Sequence, residues 1–398
     1  MRIALILPGF SSDEHDWCIP ALLNFVRAAS QRVELEVFAL RYPHRRDTYR
    51  IGNATVHSLG WAQRRGVHSA TLWANAVALI TQRHRHRPFD VLHTQWADEP
   101  GWIGATAASL LSVPLIISVI GGELSDLSDI GYGLQQHALP RRLIAWTLRN
   151  ATRVTGGSQY TLDLIRAHGI AQPTWLPWGV DTKFFAPLPP SQQPASIVSG
   201  VEGCGLYVNR ILRQAQDATF ASRPLINVGS LLPVKGQLSL LRVMRRVVDA
   251  IPQARLQLVG EGPLKHDLRL VIEQLNLQAH VTLNEAIAHD ELPALYQQAS
   301  LFAQTSLHEG QGMAVLEAMA CGVPCVGTSV GVVPELAPTA ACAVPVGDER
   351  ALAEAIIELL RDDQKRAALG QAARQKVEEL YSVEKCVERF VVLWSGSR

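Results

Sequence analysis

The chain has 398 residues, which at roughly 150 residues per domain implies two or three domains. A composition 47% hydrophobic and 18% charged, with 29 Gly and 22 Pro, excludes a disordered, collagenous or coiled-coil protein. With 37 Lys/Arg against 36 Asp/Glu the net charge is +1, which excludes a general nucleic-acid binder on charge alone.

In chain order, residues 3–7 are a short apolar run ending at Pro8-Gly9 and read as a strand. Ile19, Leu22, Leu23 and Val26 then recur with helical period. The alternation continues with a strand at 33–40, a helix at 71–82, a strand at 91–94, a small-residue helix at 101–111 and a strand at 115–120. Strands without a polar face, separated by helices, indicate a parallel sheet covered on both sides. Residues 187–224 open with Pro187, Pro189 and Pro190 and run on rich in Ser and Gln, which marks a linker or insertion; residues 211–220 within it read as a polar helix. A second series follows. Its strands are at 225–228, 255–259, 280–283, 301–304 and 324–327. Its helices are at 237–250, 264–275, 291–298, 313–320, 351–360 and 363–380. The expected organisation is one α/β domain over 1–186, the linker 187–224, a second α/β domain over 225–382 and a terminal helix over 383–398. Ligands of such sheets bind outside the carboxyl ends of the strands, here in a cleft expected between the domains.

The six cysteines have no zinc-knuckle spacing and read as reduced thiols. The apolar run at the N-terminus is too short for a signal peptide, and residues 110–120, broken by Pro114, are too short to span a bilayer. A soluble, cytoplasmic protein is expected.

The densest chemical signal is His308-Glu-Gly-Gln-Gly-Met-Ala-Val-Leu-Glu317-Ala-Met-Ala-Cys-Gly322. Gly310 and Gly312 let the backbone turn sharply and approach a ligand closely. A helix beginning near Met313 leaves the amides of Gly312, Met313 and Ala314 without internal partners, and with the helix dipole they form a phosphate site. Glu309 before that helix and Glu317 in its early turns can bracket the rest of a ligand. A phosphate at the middle and a carboxylate at each end suit a nucleotide sugar.

This segment resembles the Glu-x7-Glu motif of retaining family 4, or group 1, glycosyltransferases of the GT-B fold. The likeness extends over most of the chain. Pro8-Gly9-Phe10 resembles the family's first glycine loop, and Gly121-Gly122-Glu123 the element after a central strand. The stretch from Leu176 to Phe184 resembles the segment that closes the first domain. Val228-Gly-Ser-Leu-Leu-Pro-Val-Lys-Gly236 resembles the Gly-Arg-Leu…Lys-Gly motif, and Gly260-Glu-Gly-Pro263 a donor-domain turn. The resemblance implies two Rossmann-like α/β domains with parallel sheets facing a central cleft. It implies that Lys235 contacts the donor diphosphate, that Glu317 holds the ribose, and that Glu309 lies near the sugar ring. Glu309 and Lys235 are then the catalytic pair. Gly9, Ser230, Ile287, Gly310, Gly312, Met313 and Ala314 complete the donor site, although Ile287 could equally be a core residue. Four positions depart from the family pattern: Ser230 for an arginine, Gln311 for an aromatic, Trp178 for an asparagine and Ile120 for a histidine.

The implied reaction moves a hexose-type sugar from a nucleotide-diphosphate sugar, UDP- or GDP-linked, to an acceptor hydroxyl with retention. Neither a metal nor a further cofactor is expected. The acceptor is a glycan, a lipid-linked sugar or a small glycoside, and no nucleic-acid partner is expected. His93, Asp98 and Glu99 follow a strand and either face the acceptor or serve structure. A sugar-nucleotide 2-epimerase and a catalytically impaired nucleotide-binding module are the alternatives. A nicotinamide oxidoreductase is disfavoured because no Gly-x-Gly-x-x-Gly follows the first strand. Residues 1–190 carry 18 Lys/Arg against 14 Asp/Glu. Their arginine clusters (Arg41, Arg45, Arg46 and Arg50; Arg64 and Arg65; Arg83, Arg85 and Arg87; Arg141 and Arg142) either form a solvated face or bring the N-terminal domain to the inner face of an anionic membrane.

Overall fold

A computed structural model describes residues 1–60, 67–188 and 223–397, with side chains 67 and 68 excepted. The chain forms two compact units. The first comprises Met1–Gly179, Glu309–Gln311 and Tyr381–Arg398; the second comprises Val180–His308 and Gly312–Leu380. The division thus falls at Gly179/Val180, earlier than residue 186, and the return to the first unit begins at Tyr381. The expected helix at 211–220, Pro189, Pro190, Cys204, Arg64 and Arg65 lie outside the described residues.

The first unit is built on an eight-stranded sheet in the order β3-β4-β2-β1-β5-β6-β7-β8. Its strands are β1 (Arg2–Gly9), β2 (Glu34–Tyr42), β3 (Arg46–Ile51), β4 (Ala54–Leu59), β5 (Val91–Gln95), β6 (Leu115–Val119), β7 (Arg153–Gly156) and β8 (Thr174–Trp175). Its helices are α1 (Pro20–Ala29), α2 (Val67–His86), α3 (Glu99–Leu111), α4 (Ala138–Arg149) and α5 (Gln159–Ala167). The run Ile3–Leu7 is wholly buried, as a central strand apolar on both faces must be. The sheet is parallel except at the β3–β4 pair, where Arg50 registers with Thr55 and Ile51 with Ala54 around Gly52-Asn53. That hairpin has no apolar run to announce it. β3 is polar and largely exposed, as an edge strand tolerates.

The second unit carries a six-stranded, all-parallel sheet in the order β11-β10-β9-β12-β13-β14. Its strands are β9 (Leu225–Val228), β10 (Leu256–Val259), β11 (Val281–Asn284), β12 (Leu301–Gln304), β13 (Cys325–Thr328) and β14 (Ala341–Val344). Its helices are α6 (Gln237–Ala250), α7 (Lys265–Gln274), α8 (Leu292–Tyr296), α9 (Met313–Ala320), α10 (Val333–Leu336), α11 (Glu349–Arg361) and α12 (Asp363–Leu380). The helix expected at 291–298 is shorter. A 3-10 turn, His289–Glu291, precedes it, and Pro293 sits in its first turn, where its missing N–H costs nothing. The last helix, α13 (Val383–Ser395), packs in the first unit against α1, with the Phe390 ring 4.4 Å from that of Phe25.

Candidate functional site

In the second unit the site is assembled at the carboxyl ends of β9 and β12. After β9, Ser230 is exposed and its carbonyl accepts from the Gln237 side chain at 3.0 Å. The chain then makes a 3-10 turn, Pro233–Lys235, which ends at Gly236 with φ +66°, where helix α6 begins. A side chain at Gly236 would also collide with the Thr305 carbonyl, so the turn needs glycine twice over. The turn is tied to the segment after β12. The Thr305 hydroxyl donates to the Lys235 carbonyl at 3.1 Å, and the Leu307 amide donates to the Val234 carbonyl at 2.8 Å. Lys235 itself is half-buried.

That same segment runs on to α9. Gly312 caps the helix in the left-handed region, φ +96°. The first intrahelical bonds come from Val315 and Leu316 to the Gly312 carbonyl, so the amides of Gly312, Met313 and Ala314 precede them. These three residues are half-buried. Glu317 lies one turn in and is 9% exposed. Its Oε2 accepts from the Tyr296 hydroxyl at 3.0 Å. Burial pushes the Glu317 carboxyl up to about 7, and the tyrosine hydrogen bond pulls the other way. Tyr296, on α8, is fully buried. Nothing in the spacing of the sequence linked it to Glu317. Ile287 sits half-buried in the loop after β11, outside the apolar core of the unit.

In the first unit Gly9 ends β1. It is buried, and a Cβ there would stand 2.9 Å from Tyr42 Cβ, so the close approach of β2 already requires glycine. Glu309–Gln311 group with this unit. The Gly310 carbonyl accepts from Ser158 Oγ at 2.7 Å and Thr161 Oγ1 at 2.5 Å, both at the start of α5. A side chain at Gly310 would strike the Ile120 carbonyl. Gln311 clasps the backbone of Trp178: its Oε1 accepts the Trp178 amide at 2.9 Å and its Nε2 donates to the Trp178 carbonyl at 2.7 Å. The clasp is made to the backbone, so it depends on Gln311 and not on which side chain stands at 178. The Trp178 ring packs edge-on against Trp96, 5.7 Å away. Glu309 is half-buried.

The three candidate acceptor residues separate. His93 is corrected to a structural residue. It is fully buried, stacks on Phe390, and both ring nitrogens are engaged. Nδ1 accepts from Trp394 Nε1 at 2.9 Å, which leaves Nε2 to donate to Ser118 Oγ at 2.9 Å. Burial lowers its pKa to about 3, consistent with a neutral ring. Glu99 is committed to Arg41, with contacts of 2.6 Å to both oxygens, and to Trp73 Nε1 at 2.7 Å. Asp98 differs. It stands just before α3, and its Oδ1 is enclosed without a hydrogen-bond partner. Burial, reinforced by the charges of Glu123 and Glu99, pushes its carboxyl up to about 7. Trp96, two residues earlier, holds φ +75°, a conformation costly for a bulky residue. Beside it Glu123 is buried and accepts backbone amides from Gly121 at 2.5 Å, Ile120 at 3.2 Å and Ala97 at 3.3 Å.

Residues 213–376 match the model of glycosyl transferases group 1, and residues 20–177 match a glycosyl transferase 4-like domain. The chain is 31% identical to the GDP-mannose-dependent monoacylated alpha-(1-6)-phosphatidylinositol monomannoside mannosyltransferase of Corynebacterium glutamicum, over 80% of this chain and 81% of that protein. It is 30% identical to a GDP-mannose-dependent alpha-(1-6)-phosphatidylinositol monomannoside mannosyltransferase of Mycolicibacterium smegmatis, over 75% of this chain and 77% of that protein. Among solved structures, the sucrose-phosphate synthase of Thermosynechococcus elongatus superposes with a TM-score of 0.79 at 20% identity, over 100% of this chain and 98% of that one.

Proposed function

The chain belongs to the group 1 glycosyltransferases, enzymes of GT-B fold, and from that premise we propose that it moves a hexose-type sugar from a nucleotide-diphosphate donor to an acceptor hydroxyl with retention and without a metal ion. The observation that carries this reading is the joined pair of loops in the second unit. Thr305 and Leu307 tie the Lys235 turn to the segment that opens α9, so a cation and three helix-start amides belong to one framework. A diphosphate is the anion such a framework suits.

In the proposed reaction the bond from the anomeric carbon to the β-phosphate oxygen breaks. The bond to the acceptor oxygen forms on the same face, and the acceptor proton passes to the departing phosphate. Lys235 and the α9 amides stabilise the charge growing on the diphosphate. Glu317 holds the ribose, Glu309 the sugar ring, and Asp98 the acceptor. GDP-mannose heads the donors to try, because the two mannosyltransferases named above depend on it. A lipid-linked acceptor would bring the enzyme to a membrane surface.

The test is a transfer and hydrolysis screen across uridine, guanosine and adenosine diphosphate sugars, with and without chelator. Lys235→Ala and Glu309→Ala are each expected to lower turnover at least about tenfold, roughly 1.4 kcal/mol of barrier. Product stereochemistry read by NMR checks retention. Wild-type rates in either variant, or a free isomerised sugar nucleotide made without acceptor, would refute the reading.

A further inference from the structure

Helices α2, α3 and α4 of the first unit present three apolar stripes. On α4, Leu139, Leu143 and Trp146 recur at helical spacing; Leu139 is 66% exposed and Trp146 39%. On α3 the stripe is Trp102, Thr106 and Leu110, the last 66% exposed, and on α2 it is Trp73, Val77 and Thr81. A groove of about 700 Å³ runs between α2 and α3, lined by Trp73, Val77, Ile103 and Leu110 with Arg85 among its walls. It continues onto α4, where Leu143 and Trp146 join Trp73 and Trp102 in a second hollow. The Trp73 and Trp102 rings pack edge-on at 5.1 Å. Two buried donors of the groove wall, Trp102 Nε1 and Thr81 Oγ1, have no hydrogen-bond partner.

The charge on these helices has one sign. Their single acid is Glu99, which is held by Arg41. Arg85, Arg141, Arg142 and Arg149 are exposed and make no ion pair with the described residues. The other arginine clusters are engaged or placed elsewhere: Arg83 pairs with Glu36, Arg87 with Glu34 and Arg45 with Asp47, and Arg50 lies in β3.

We propose that the α2–α3–α4 face is a docking surface for an anionic lipid bilayer. Leu110, Leu139 and Trp146 enter the interfacial layer, and Arg85, Arg141, Arg142 and Arg149 meet the headgroup phosphates. Exposed leucines and a tryptophan rimmed only by arginine are the composition of an interfacial surface. A face that bound only a polyanion would have no use for the leucines. The proposal rests on this face alone, so it stands or falls separately from the sugar chemistry.

The test is sedimentation of the 398-residue chain with phosphatidylcholine vesicles made with or without phosphatidylglycerol. The wild type is expected to pellet with the anionic vesicles and to stay in the supernatant with the neutral ones. Leu110→Asp combined with Leu139→Asp, and separately Arg141→Glu combined with Arg142→Glu, are each expected to cut the bound fraction at least about fivefold. Arg45→Glu combined with Arg50→Glu should bind as the wild type does. Because the leucines and arginines altered are exposed, circular dichroism and unfolding temperature should not move. Absence of binding to anionic vesicles at low salt overturns the proposal. So does a leucine variant that binds as the wild type does, and so does an arginine-dependent complex with single-stranded RNA in place of vesicles.

Discussion

Glu317 shows how one buried carboxyl couples function to stability. Its folded pKa, about 7, lies above the ordinary carboxyl value of 4.5. The folded state therefore binds a proton that the unfolded state has released between those values. The stabilising contribution is complete below about pH 4.5 and is lost as pH rises through 7. Glu317→Gln keeps an oxygen for the Tyr296 hydroxyl and removes the titration. Its unfolding free energy, compared with the wild type in the absence of donor, is expected to gain by up to about 3 kcal/mol between pH 5 and pH 8. Denaturant melts at the two pH values check this, and a difference that does not change with pH would remove Glu317 from its buried, proton-holding role. His93 makes the opposite kind of case. Its ring is part of the packing around Phe390 and Trp394. His93→Ala should cost on the order of 2–4 kcal/mol, from the cavity and the orphaned Trp394 N–H, while leaving the KM for acceptor unchanged. A raised acceptor KM at unchanged stability would return His93 to the acceptor site.

At the scale of elements, two glycines set the loops that form the donor framework, and they should fail differently. Gly312 has φ +96°, but a Cβ there would meet nothing nearer than Val315 Cγ2 at 3.7 Å. Gly236 has φ +66° and would in addition drive a Cβ into the Thr305 carbonyl. Gly312→Ala should therefore cost only backbone strain, about 1–3 kcal/mol, and Gly236→Ala should cost more. Thermal unfolding of the two variants ranks them, and the reverse order would show that the Lys235 turn is not held against Thr305. The motif around these glycines was legible because glycine at a strand–helix junction, an apolar helix and two acids make a pattern within fifteen residues. Helix α9 falls at the expected residues for that reason. The β3–β4 hairpin was not legible: β3 is polar on nearly every position, and its partner is found only through the turn at Gly52-Asn53. Strand β14 was not anticipated either; its run Ala-Cys-Ala-Val is of small residues, with one bulky apolar side chain at its end. The partners Tyr296 of Glu317 and Trp178 of Gln311 come from elements 21 and 133 residues away in sequence, and no local pattern encodes such pairings.

Across the whole molecule, the chain leaves the first unit after Gly179, rejoins it at Glu309–Gln311 and returns again at Tyr381, so α13 completes the core of a unit whose other elements lie more than 200 residues earlier in the sequence. The return is tight. The α13 residue Val383 lies so close to Gly179 that a side chain at the glycine would strike its backbone. Cys386, Phe390 and Trp394 are each fully buried, and Trp394 reaches both the Phe25 ring, at 6.2 Å, and His93. Truncating one buried aromatic costs about 3–5 kcal/mol, and a whole domain is stable by only about 5–15 kcal/mol. Phe390→Ala combined with Trp394→Ala should therefore consume most of the stability of the first unit, and removal of Tyr381–Arg398 should unfold it. Limited proteolysis read by mass spectrometry distinguishes this from a general loss of structure. Early cuts should fall within residues 1–179 in both variants, with the 223–380 stretch cut no faster than in the wild type. If the truncated chain resisted protease over 1–179 as the wild type does, α13 would be an attachment to that unit and not a part of its core.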